Sequence, residues 1–344
     1  MNPIDRAHQA AGPSVWAIVL NWNRREDTLA CLESLASMDA TWDVTGGETG
    51  DVTAAATGDV TAGVTGDRPG FDLHLLLVDN GSTDGSLEAV AEAWPAVERL
   101  ALPENVGYAR GINAGVERAL AAGADWTFLV NNDAVVGPDA LAKLLAAADD
   151  PRIGLLTPTI YYYDIPGTVW PSAGFRRKLT LAGVDTTARP PSPAPYDVDW
   201  ATGCALLVRA QVWAAVGLLD TRFVMYYEDH DFCLRAEGAG WRLVHVPAAH
   251  VWHRVSASSG GVGSVRHMYA LGKSSVLFFA KHAHGAQRLM MVPYRLGSLI
   301  RTVYDAGRRG KWAAGWAYVR GVADGLTTVL EKDDGRRIDT PQST

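Results

Sequence analysis

Short apolar runs that end in polar residues alternate with helix-like segments through the first half of this chain. This alternation limits the possible folds more than any other feature. Residues 15–20, 73–78 and 126–130 have the length and apolar character of buried strands. Each run is followed by a segment with the residue spacing of a helix. Strands and helices in alternation predict an α/β fold, with a mostly parallel sheet flanked by helices.

The second half of the chain has a looser pattern. Strands are predicted at 154–163, 200–208 and 241–247, and short helices at 210–216 and 229–238. From residue 268 onward the sequence is predicted to be helical and amphipathic, which makes a C-terminal helical extension to the α/β core.

Three further regions complete the predicted organisation. Residues 43–70 are rich in Gly, Thr, Asp and Ala, and a GDVTA pentapeptide at 50–54 recurs at 58–62. We interpret them as a low-complexity insertion in a domain that spans 14–264, because their acidic residues are too sparse for a calcium-binding repeat. Residues 265–332 form the helical region, and 333–344 a flexible polar tail.

Charge is distributed unevenly. The chain is 48% hydrophobic and 20% charged, with a formal net charge of −7, which argues against general nucleic-acid binding. Residues 265–332 nevertheless hold eleven Lys or Arg and only three Asp or Glu, a net charge of +8. A basic, aromatic-rich region on an acidic body indicates contact with an anionic surface, such as a membrane leaflet or a lipid pyrophosphate. A solvated helical face is the alternative interpretation.

The cysteines and the N-terminus indicate a cytoplasmic protein, with the inner face of the cell membrane as a further expectation for peripheral contact. Cys31, Cys204 and Cys233 lie far apart and fit buried thiols in a reducing compartment better than a disulfide framework. We expect no secretory signal, because no long apolar stretch follows a basic start. We also expect no membrane-spanning helix, because no apolar run reaches about 18 residues.

The run at 126–130 ends in Asn131, Asn132 and Asp133. In open α/β sheets, ligands bind at the carboxyl ends of the strands. Hard cations such as Mg²⁺ and Mn²⁺ take oxygen ligands, usually one or two carboxylates together with substrate phosphates. An ordinary polar turn before the next helix explains the same residues when they are considered alone.

Two more strand ends carry polar groups. Asp79, Asn80 and Gly81 follow the second strand, where a carboxylate can accept the imide N–H of a pyrimidine base. The segment 105–115 combines asparagines, glycines and Arg110 at the start of a helix, which suits a diphosphate. An Asx turn explains the first group equally well, and the second lacks the pattern of a dinucleotide site.

An acidic pair, Glu228 and Asp229, opens a helix about a hundred residues later. An ionised Asp within reach of a hydroxyl can act as a general base, and the helix dipole helps to keep it ionised. Helix capping is the simpler explanation. His253 follows farther along, and two roles remain open for it, a metal ligand beside Asp133 or a structural or substrate-contacting histidine.

Six motifs taken together resemble glycosyltransferase family 2, in particular its rhamnosyltransferase-like branch. Their order is far more specific than any one motif, and the resemblance covers roughly residues 14–260. The motifs are VLNWN at 19–23, VDNGSTDGS at 78–86, ENVGYARGINAG at 104–115, LVNND at 129–133, TGC at 202–204 and YEDHD at 227–231.

The resemblance implies a GT-A fold, in which a Rossmann-like nucleotide half joins an acceptor half. It implies Asp229 as catalytic base with Glu228 beside it, and Asp133 with His253 as ligands of Mg²⁺ or Mn²⁺. Trp200 and Gly203 are implied on the acceptor side. Asn131 stands where the family has the first Asp of its DxD motif, so one carboxylate remains. The implied donor-binding residues are Asn21, Asp79, Asn80, Gly81, Asn105, Gly107, Arg110, Asn113, Asn131 and Asn132.

The implied activity is an inverting, metal-dependent transfer of a sugar such as rhamnose, as in the synthesis of cell envelope polysaccharide. A dTDP- or UDP-sugar is the implied donor, and a glycan, a lipid-linked glycan or a small molecule the acceptor. Three alternatives stay open. They are a non-catalytic sugar-nucleotide-binding protein, a nucleotidyltransferase, and a surface-binding module that needs only residues 265–332.

Overall fold

The structure is a computed structural model that describes residues 12–38, 70–223, 225–255 and 263–333. The predicted insertion at 43–70 lies outside the described residues except for residue 70. The predicted tail at 333–344 lies outside them except for residue 333, which closes the last helix.

Twelve strands and nine helices occur in the described ranges. The strands are β1 (Ser14–Asn21), β2 (Asp72–Asp79), β3 (Glu98–Ala101), β4 (Trp126–Asn131), β5 (Ala134–Val136), β6 (Ile153–Tyr162), β7 (Ala173–Arg176), β8 (Gly183–Asp185), β9 (Tyr196–Val198), β10 (Trp200–Ala201), β11 (Ala205–Arg209) and β12 (Arg242–His253). The helices are α1 (Arg25–Ala36), α2 (Ser86–Ala93), α3 (Tyr108–Ala121), α4 (Ala140–Ala146), α5 (Ala210–Val216), α6 (Glu228–Gly238), α7 (Val265–His282), α8 (Ala286–Arg308) and α9 (Trp312–Asp333).

A nine-stranded sheet forms the centre of the fold, in the order β3-β2-β1-β4-β11-β6-β12-β5, with β9 paired to β12. Strands β1 to β4, β6 and β12 run in one direction, and β5, β9 and β11 run in the other. The predicted α/β fold with a mostly parallel sheet is therefore confirmed. Strands β10, β7 and β8 form a separate small sheet.

The sheet has a hydrophobic core on each face, because side chains alternate across a strand. In β1, Val15, Ala17 and Val19 lie in one core, and Trp16 and Ile18 lie in the other. Helices α1, α2 and α4 cover the first face, and α3, α5 and α6 cover the second. Burying each large apolar side chain stabilises the fold by about 1.5–3 kcal/mol.

Helix α3 approaches the sheet closely because glycines face it. A Cβ on Gly115 would lie 2.6 Å from Ile18 and 2.9 Å from Val78, and a Cβ on Gly111 would lie 2.5 Å from Leu20. Larger residues at these positions would push the helix outward and cost about 1–3 kcal/mol by overpacking. The close approach fixes the start of α3 beside the carboxyl ends of β1 and β2.

The predicted single strand at 200–208 is wrong in one respect. The structure divides it into β10 and β11, and a turn at residues 202–204 separates them. Strand β10 pairs with β7 in the small sheet, whereas β11 pairs with β4 and β6 in the large one. An apolar run gives no signal for a change of sheet. At the turn, a Cβ on Gly203 would lie 2.6 Å from the Tyr108 hydroxyl oxygen, so glycine permits this close approach.

The predicted strand at 241–247 is too short. Strand β12 continues through Pro247 to His253, and it pairs with β6 both before the proline, at 242–246, and after it, at 250–253. A register shift between Val246 and His250 absorbs the proline, which cannot donate a ladder hydrogen bond. Because the strand resumes after this bulge, its last residues reach β5.

The predicted helical region at 265–332 consists of α7, α8 and α9. Helix α7 joins the α/β core through a shared apolar cluster, in which Phe278 and Phe279 contact Tyr227 next to α6. Among the described helices, none combines the length and the apolar character needed to cross a lipid bilayer.

Asp231 of α6 ties this helical region to the core. Its fully buried carboxylate lies 2.6 Å from Lys281 Nζ, 2.6 Å from His282 Nε2 and 2.8 Å from Arg235 Nε. Burial raises the pKa of Asp231, but hydrogen bonds from His282 and Lys281 and the charge of Arg235 lower it below its usual value. The ionised carboxylate thus holds α7 against α6, on either side of the predicted domain boundary.

Candidate active site

Asn21 is the centre of a buried network at the carboxyl ends of β1 and β2. Its Nδ2 donates to Asp79 Oδ1 at 3.0 Å and to Ser82 Oγ at 3.0 Å. Its Oδ1 accepts from Thr28 Oγ1 at 2.8 Å and from Asn132 Nδ2 at 3.2 Å. Asn21 is fully buried, so it acts through the neighbours that it orients.

Asn80 holds the loop that leads into α3. Its Oδ1 accepts from the Val106 amide at 2.9 Å, and its Nδ2 donates to Asn105 Oδ1 at 3.1 Å. Asn105 Oδ1 also accepts from the Gly107 amide at 2.9 Å. Gly81 is required beneath this loop, because it has φ +71° and a Cβ there would lie 2.6 Å from the Cα of Glu104.

Asp133 and His253 form a buried pair, although 120 positions separate them in the sequence. Strand β12 places His253 opposite Ala134 of β5, so its ring meets the side chain of the residue before that strand. The distance from His253 Nε2 to Asp133 Oδ1 is 3.0 Å. The main-chain oxygen of Asp133 also accepts from the Arg254 amide at 2.9 Å.

The donor atoms of this pair suit a divalent cation. Burial lowers the pKa of His253, but Cys204 and the hydrogen bond to Asp133 raise it to about 10, so a proton lies between imidazole and carboxylate. A cation can take that position, because both groups bind metals in their deprotonated forms. Within the described ranges no cluster of three His, Cys, Asp or Glu could hold a metal, so substrate oxygens and water would complete the coordination.

The turn before α6 directs the acidic pair. Tyr226 and Tyr227 both adopt the left-handed region, with φ of +69° and +70°. Such strain in bulky residues costs about 1–3 kcal/mol each and is concentrated at functional sites. The turn places Glu228 and Asp229 in the first turn of α6, where the helix dipole favours negative charge.

The two acids have different surroundings. Asp229 is half-buried, and its Oδ1 and Oδ2 accept from the amides of His230 at 2.7 Å and of Gly203 at 3.2 Å. Glu228 is buried, and its Oε2 has no hydrogen-bond partner among the described residues. Burial raises the pKa of Glu228 well above its usual value, and the charge of Asp229 raises it further. Burial therefore favours the protonated form of Glu228, whereas Asp229 is more exposed and two amide donors hold its carboxylate, so Asp229 is the acid placed to take a proton from an acceptor.

Replacing Glu228 with glutamine is expected to flatten the dependence of stability on pH. Because the folded-state pKa of Glu228 lies above the unfolded value, the folded state binds more protons in the interval between them. The free energy of unfolding of the wild type therefore falls as pH rises through that interval, by up to about 1.4 kcal/mol per pH unit. Urea unfolding at a series of pH values measures the slope. The exposed Glu33→Gln is the control, and an unchanged slope in Glu228→Gln would refute the prediction.

The turn at residues 202–204 contacts both the acidic pair and the end of β4, and we take the space beside it as the candidate active-site cleft. The Gly203 amide donates to Asp229, and the main-chain oxygen of the next residue, Cys204, accepts from the Asn131 amide at 2.9 Å, two residues before Asp133. Tyr108 lies between the two walls, and its hydroxyl donates to the Gly203 oxygen at 3.2 Å. Burial raises the pKa of Tyr108, and the charges of Glu228, Asp229 and Asp133 contribute. The Tyr108 hydroxyl therefore lies close enough to acids on both walls for their charges to raise its pKa.

The side chains of four predicted site residues take no part in the contacts described above. The Asn113 side chain donates to the Leu219 oxygen at 2.9 Å and accepts from its amide at 3.0 Å, which links α3 to the segment before α6. Trp200 is 7% exposed and stacks on His230, so little of its surface is available to an acceptor. Arg110 is exposed in the first turn of α3, and Asn131 is partly buried at the end of β4.

Sequence reasoning did not select Thr28, Ser82, Tyr108 or Cys204. Thr28 had a usable signal, since it lies four residues before Leu32, on the apolar face of α1, and a polar residue there needs a partner. Ser82 and Tyr108 lie inside recognised motifs, but nothing local indicates their contacts. The prediction of buried thiols is confirmed, since all three cysteines are buried and free.

Comparison with known proteins identifies related sequences. Residues 54–207 match the sequence model described as Glycosyl transferase family 2. An N-acetylglucosaminyl-diphospho-decaprenol L-rhamnosyltransferase of Mycobacterium tuberculosis is 36% identical over 235 residues, which cover 61% of this chain and 76% of that protein. Rhamnosyltransferase WbbL of Escherichia coli is 28% identical over 137 residues, 38% of this chain and 52% of that protein.

Solved structures of low sequence identity share the fold. The mannosyltransferase PcManGT from Pyrobaculum calidifontis, in complex with GDP-Man and Mn²⁺, matches with a TM-score of 0.53 at 15% identity, over 92% of this chain and 89% of that one. GalNAc-T7 with UDP, GalNAc and Mn²⁺ matches with a TM-score of 0.52 at 12% identity, over 80% of this chain and 52% of that one. At these identities the similarity concerns the GT-A fold.

Proposed function

This chain belongs to glycosyltransferase family 2, and we propose that it transfers a sugar from a nucleoside diphosphate to a hydroxyl of a lipid-linked glycan. Rhamnose is the proposed sugar, and the transfer inverts the configuration of the anomeric carbon. The hydrogen bonds that connect the turn at residues 202–204 to Asp229 and to Asn131, beside the Asp133–His253 pair, are the main support for this proposal.

On the donor side, we assign the nucleoside to the carboxyl ends of β1 and β2. The two oxygens of Asp79 accept from Asn21 Nδ2 and from the Ser82 amide, and each keeps a further lone pair for a base. Arg110 and the amide groups at the start of α3 are available for the diphosphate. Asn21 and Asn80 act in this proposal as positioning residues, because their side chains bond the groups around them.

On the metal side, we assign Mg²⁺ or Mn²⁺ to Asp133 and His253, together with oxygens of the donor diphosphate. The two structural neighbours described above are complexes with Mn²⁺. A bound divalent cation would offset the negative charge that develops on the leaving diphosphate. Asn132 Nδ2 donates to Thr28 and Asn21, which ties this side chain to the buried network beside the proposed metal position.

On the acceptor side, Asp229 removes the proton from the attacking hydroxyl. The hydroxyl oxygen bonds to the anomeric carbon as the bond from that carbon to the diphosphate oxygen breaks, and the nucleoside diphosphate leaves. The amides of Gly203 and His230 fix the orientation of the carboxylate through the transfer. Since Gly203 contacts the base directly, it is the better supported of the two predicted acceptor-side residues.

The related rhamnosyltransferase supports the proposed acceptor class, because its name gives a diphospho-decaprenol carrying N-acetylglucosamine. A lipid-linked acceptor also agrees with the basic, apolar helices α7 to α9. We therefore expect a polyprenyl diphosphate sugar as acceptor and place the reaction in the assembly of a cell envelope glycan.

The test is transfer to a polyprenyl diphosphate-linked N-acetylglucosamine with a panel of dTDP-, UDP- and GDP-sugars, each with Mg²⁺, Mn²⁺ or a chelator. We expect one donor to give a product whose new glycosidic bond, by NMR, has the anomeric configuration opposite to that of the donor. A product with retained configuration would refute the inverting mechanism. Thermal stabilisation by a nucleotide sugar without transfer would favour the non-catalytic binding protein.

A further inference from the structure

Helix α8 presents an apolar surface to solvent instead of to the protein. Five of its large apolar residues recur at intervals of three or four positions and are each more than half exposed. They are Leu289 (78%), Val292 (72%), Leu296 (57%), Ile300 (62%) and Tyr304 (61%). This spacing puts them along one side of the helix. Single exposed apolar side chains are common, but a continuous stripe of them marks an interaction surface.

The other side of α8 accounts for its attachment to the protein. Met291 is buried in the cluster shared with α7, and Arg295 donates to Ser275 Oγ and to the Tyr318 hydroxyl. Met291 and Arg295 thus attach α8 through one side, and the exposed stripe lies on the opposite side.

Two tryptophans of α9 extend the stripe. Trp312 is 60% exposed and Trp316 is 68% exposed, and the ring of Trp312 lies over Gly307 near the end of α8. Together with Tyr304, they concentrate aromatic side chains at one end of the surface. Tryptophan and tyrosine are enriched where membranes meet water, because each ring combines an apolar body with a polar group.

Cationic side chains border the stripe. Arg288, Arg301 and Arg308 of α8 are exposed, and Arg309 and Lys311 follow in the connection to α9. Asp305, 3.7 Å from Arg301, is the single acidic residue of α8. Apolar residues with basic neighbours match the acyl chains and the anionic headgroups of a bilayer.

Other occupants fit this surface less well. A second copy in a two-fold arrangement would bring the arginine borders against each other, which is unfavourable. The longest segment of this chain outside the described residues, 39–69, is rich in Gly, Thr, Asp and Ala and offers few large apolar side chains. We therefore propose that the α8 stripe, with Trp312 and Trp316, lies in the interface of an anionic lipid bilayer.

The surface leads to the rim of the active-site cleft. Trp316 also lines a groove of about 640 Å³ between α7 and α9, with Val265, Arg266 and Arg320 among its other lining residues. Arg266 lies over the ring of Trp22, 5.6 Å from its centroid, directly after β1. A membrane-held acceptor would thus reach the cleft from the side of α7. This last step rests on the proposed function, whereas the bilayer contact does not.

Flotation with vesicles tests the proposal in the absence of any donor or acceptor. Vesicles of phosphatidylcholine with about one third phosphatidylglycerol are compared with pure phosphatidylcholine vesicles. The full chain should float with the anionic vesicles. Leu296→Asp with Ile300→Asp should lower the bound fraction at least about tenfold, because apolar burial dominates such binding. Ala91→Asp with Gln211→Asp adds the same charge at exposed positions of α2 and α5 and should bind like the wild type.

A second pair of substitutions keeps the test decisive if the first pair impairs folding. Arg301→Gln with Arg308→Gln leaves the apolar stripe intact and should reduce the preference for anionic vesicles. Equal flotation of all variants would overturn the proposal. So would a wild type that ignores vesicles but forms dimers in analytical ultracentrifugation that the α8 substitutions abolish. Loss of flotation with normal sugar transfer to a water-soluble acceptor separates this inference from the proposed function.

Discussion

Replacing Asp229 with asparagine is expected to lower the turnover number for transfer by about 10²–10⁴-fold, which corresponds to roughly 3–5 kcal/mol of transition-state stabilisation. Asparagine keeps the shape of the side chain but cannot accept the proton of the acceptor hydroxyl. It also keeps one of the two oxygens that accept from the amides of Gly203 and His230, so one of these two hydrogen bonds can be retained. Binding of the nucleotide sugar, measured by calorimetry, should change little.

The control for this experiment lies on the same helix. Glu237→Gln alters an acid near the opposite end of α6, where its carboxylate pairs with Arg176, and it should retain most of the turnover. Full transfer activity in Asp229→Asn would show that another group removes the proton. Equal losses of transfer and of nucleotide-sugar binding would point to a structural role for Asp229.

Replacing Asp133 with asparagine is expected to weaken cation-dependent binding of a nucleoside diphosphate at least about 100-fold. Even the loss of a residue that only hydrogen-bonds to a metal ligand typically lowers metal affinity 10–100-fold, and Asp133 is a proposed ligand itself. The substitution removes the carboxylate that lies 3.0 Å from His253 Nε2. Titration of UDP and dTDP into the protein, with and without Mn²⁺, measures the effect. In the presence of a chelator, the variant and the wild type should bind the nucleotide alike.

A matched control lies at the opposite end of β4, just before its first residue. Asp125 accepts from the Ser14 amide on the edge opposite the cleft, so Asp125→Asn should leave the Mn²⁺-dependent part of binding unchanged. If Asp133→Asn kept that part as well, the assignment of the metal to the Asp133–His253 pair would be wrong.

The edge of the sheet to which we assign the donor was predictable from the sequence. Strands β1, β2 and β4 are parallel, so their carboxyl ends share one edge, and register places Asn21 opposite Asp79 and Leu20 opposite Asn131. Apolar runs that end in polar residues determine such an edge without any knowledge of distant contacts. The confirmed α/β fold follows from the same pattern.

Contacts between distant segments were not predictable in the same way. His253 meets Asp133 only because β12 continues past Pro247 through a bulge, whereas the apolar run alone ends at the proline. The bonds of Asn113 to Leu219 bridge 106 positions, and no local pattern signals them. The role of Asn21 as a buried hub likewise depends on Thr28 and Asn132, which approach it from other elements.

The buried carboxylate of Asp231 has a consequence for engineering this protein. Lys281 and His282 of α7 are two of its partners, and Asp231 lies two residues along α6 from Asp229, the proposed base. A fragment truncated before α7 would leave that carboxylate in the interior without these partners, at a cost of about 3–5 kcal/mol. Chimeras that exchange acceptor preference between related transferases should therefore take both helices from the same parent.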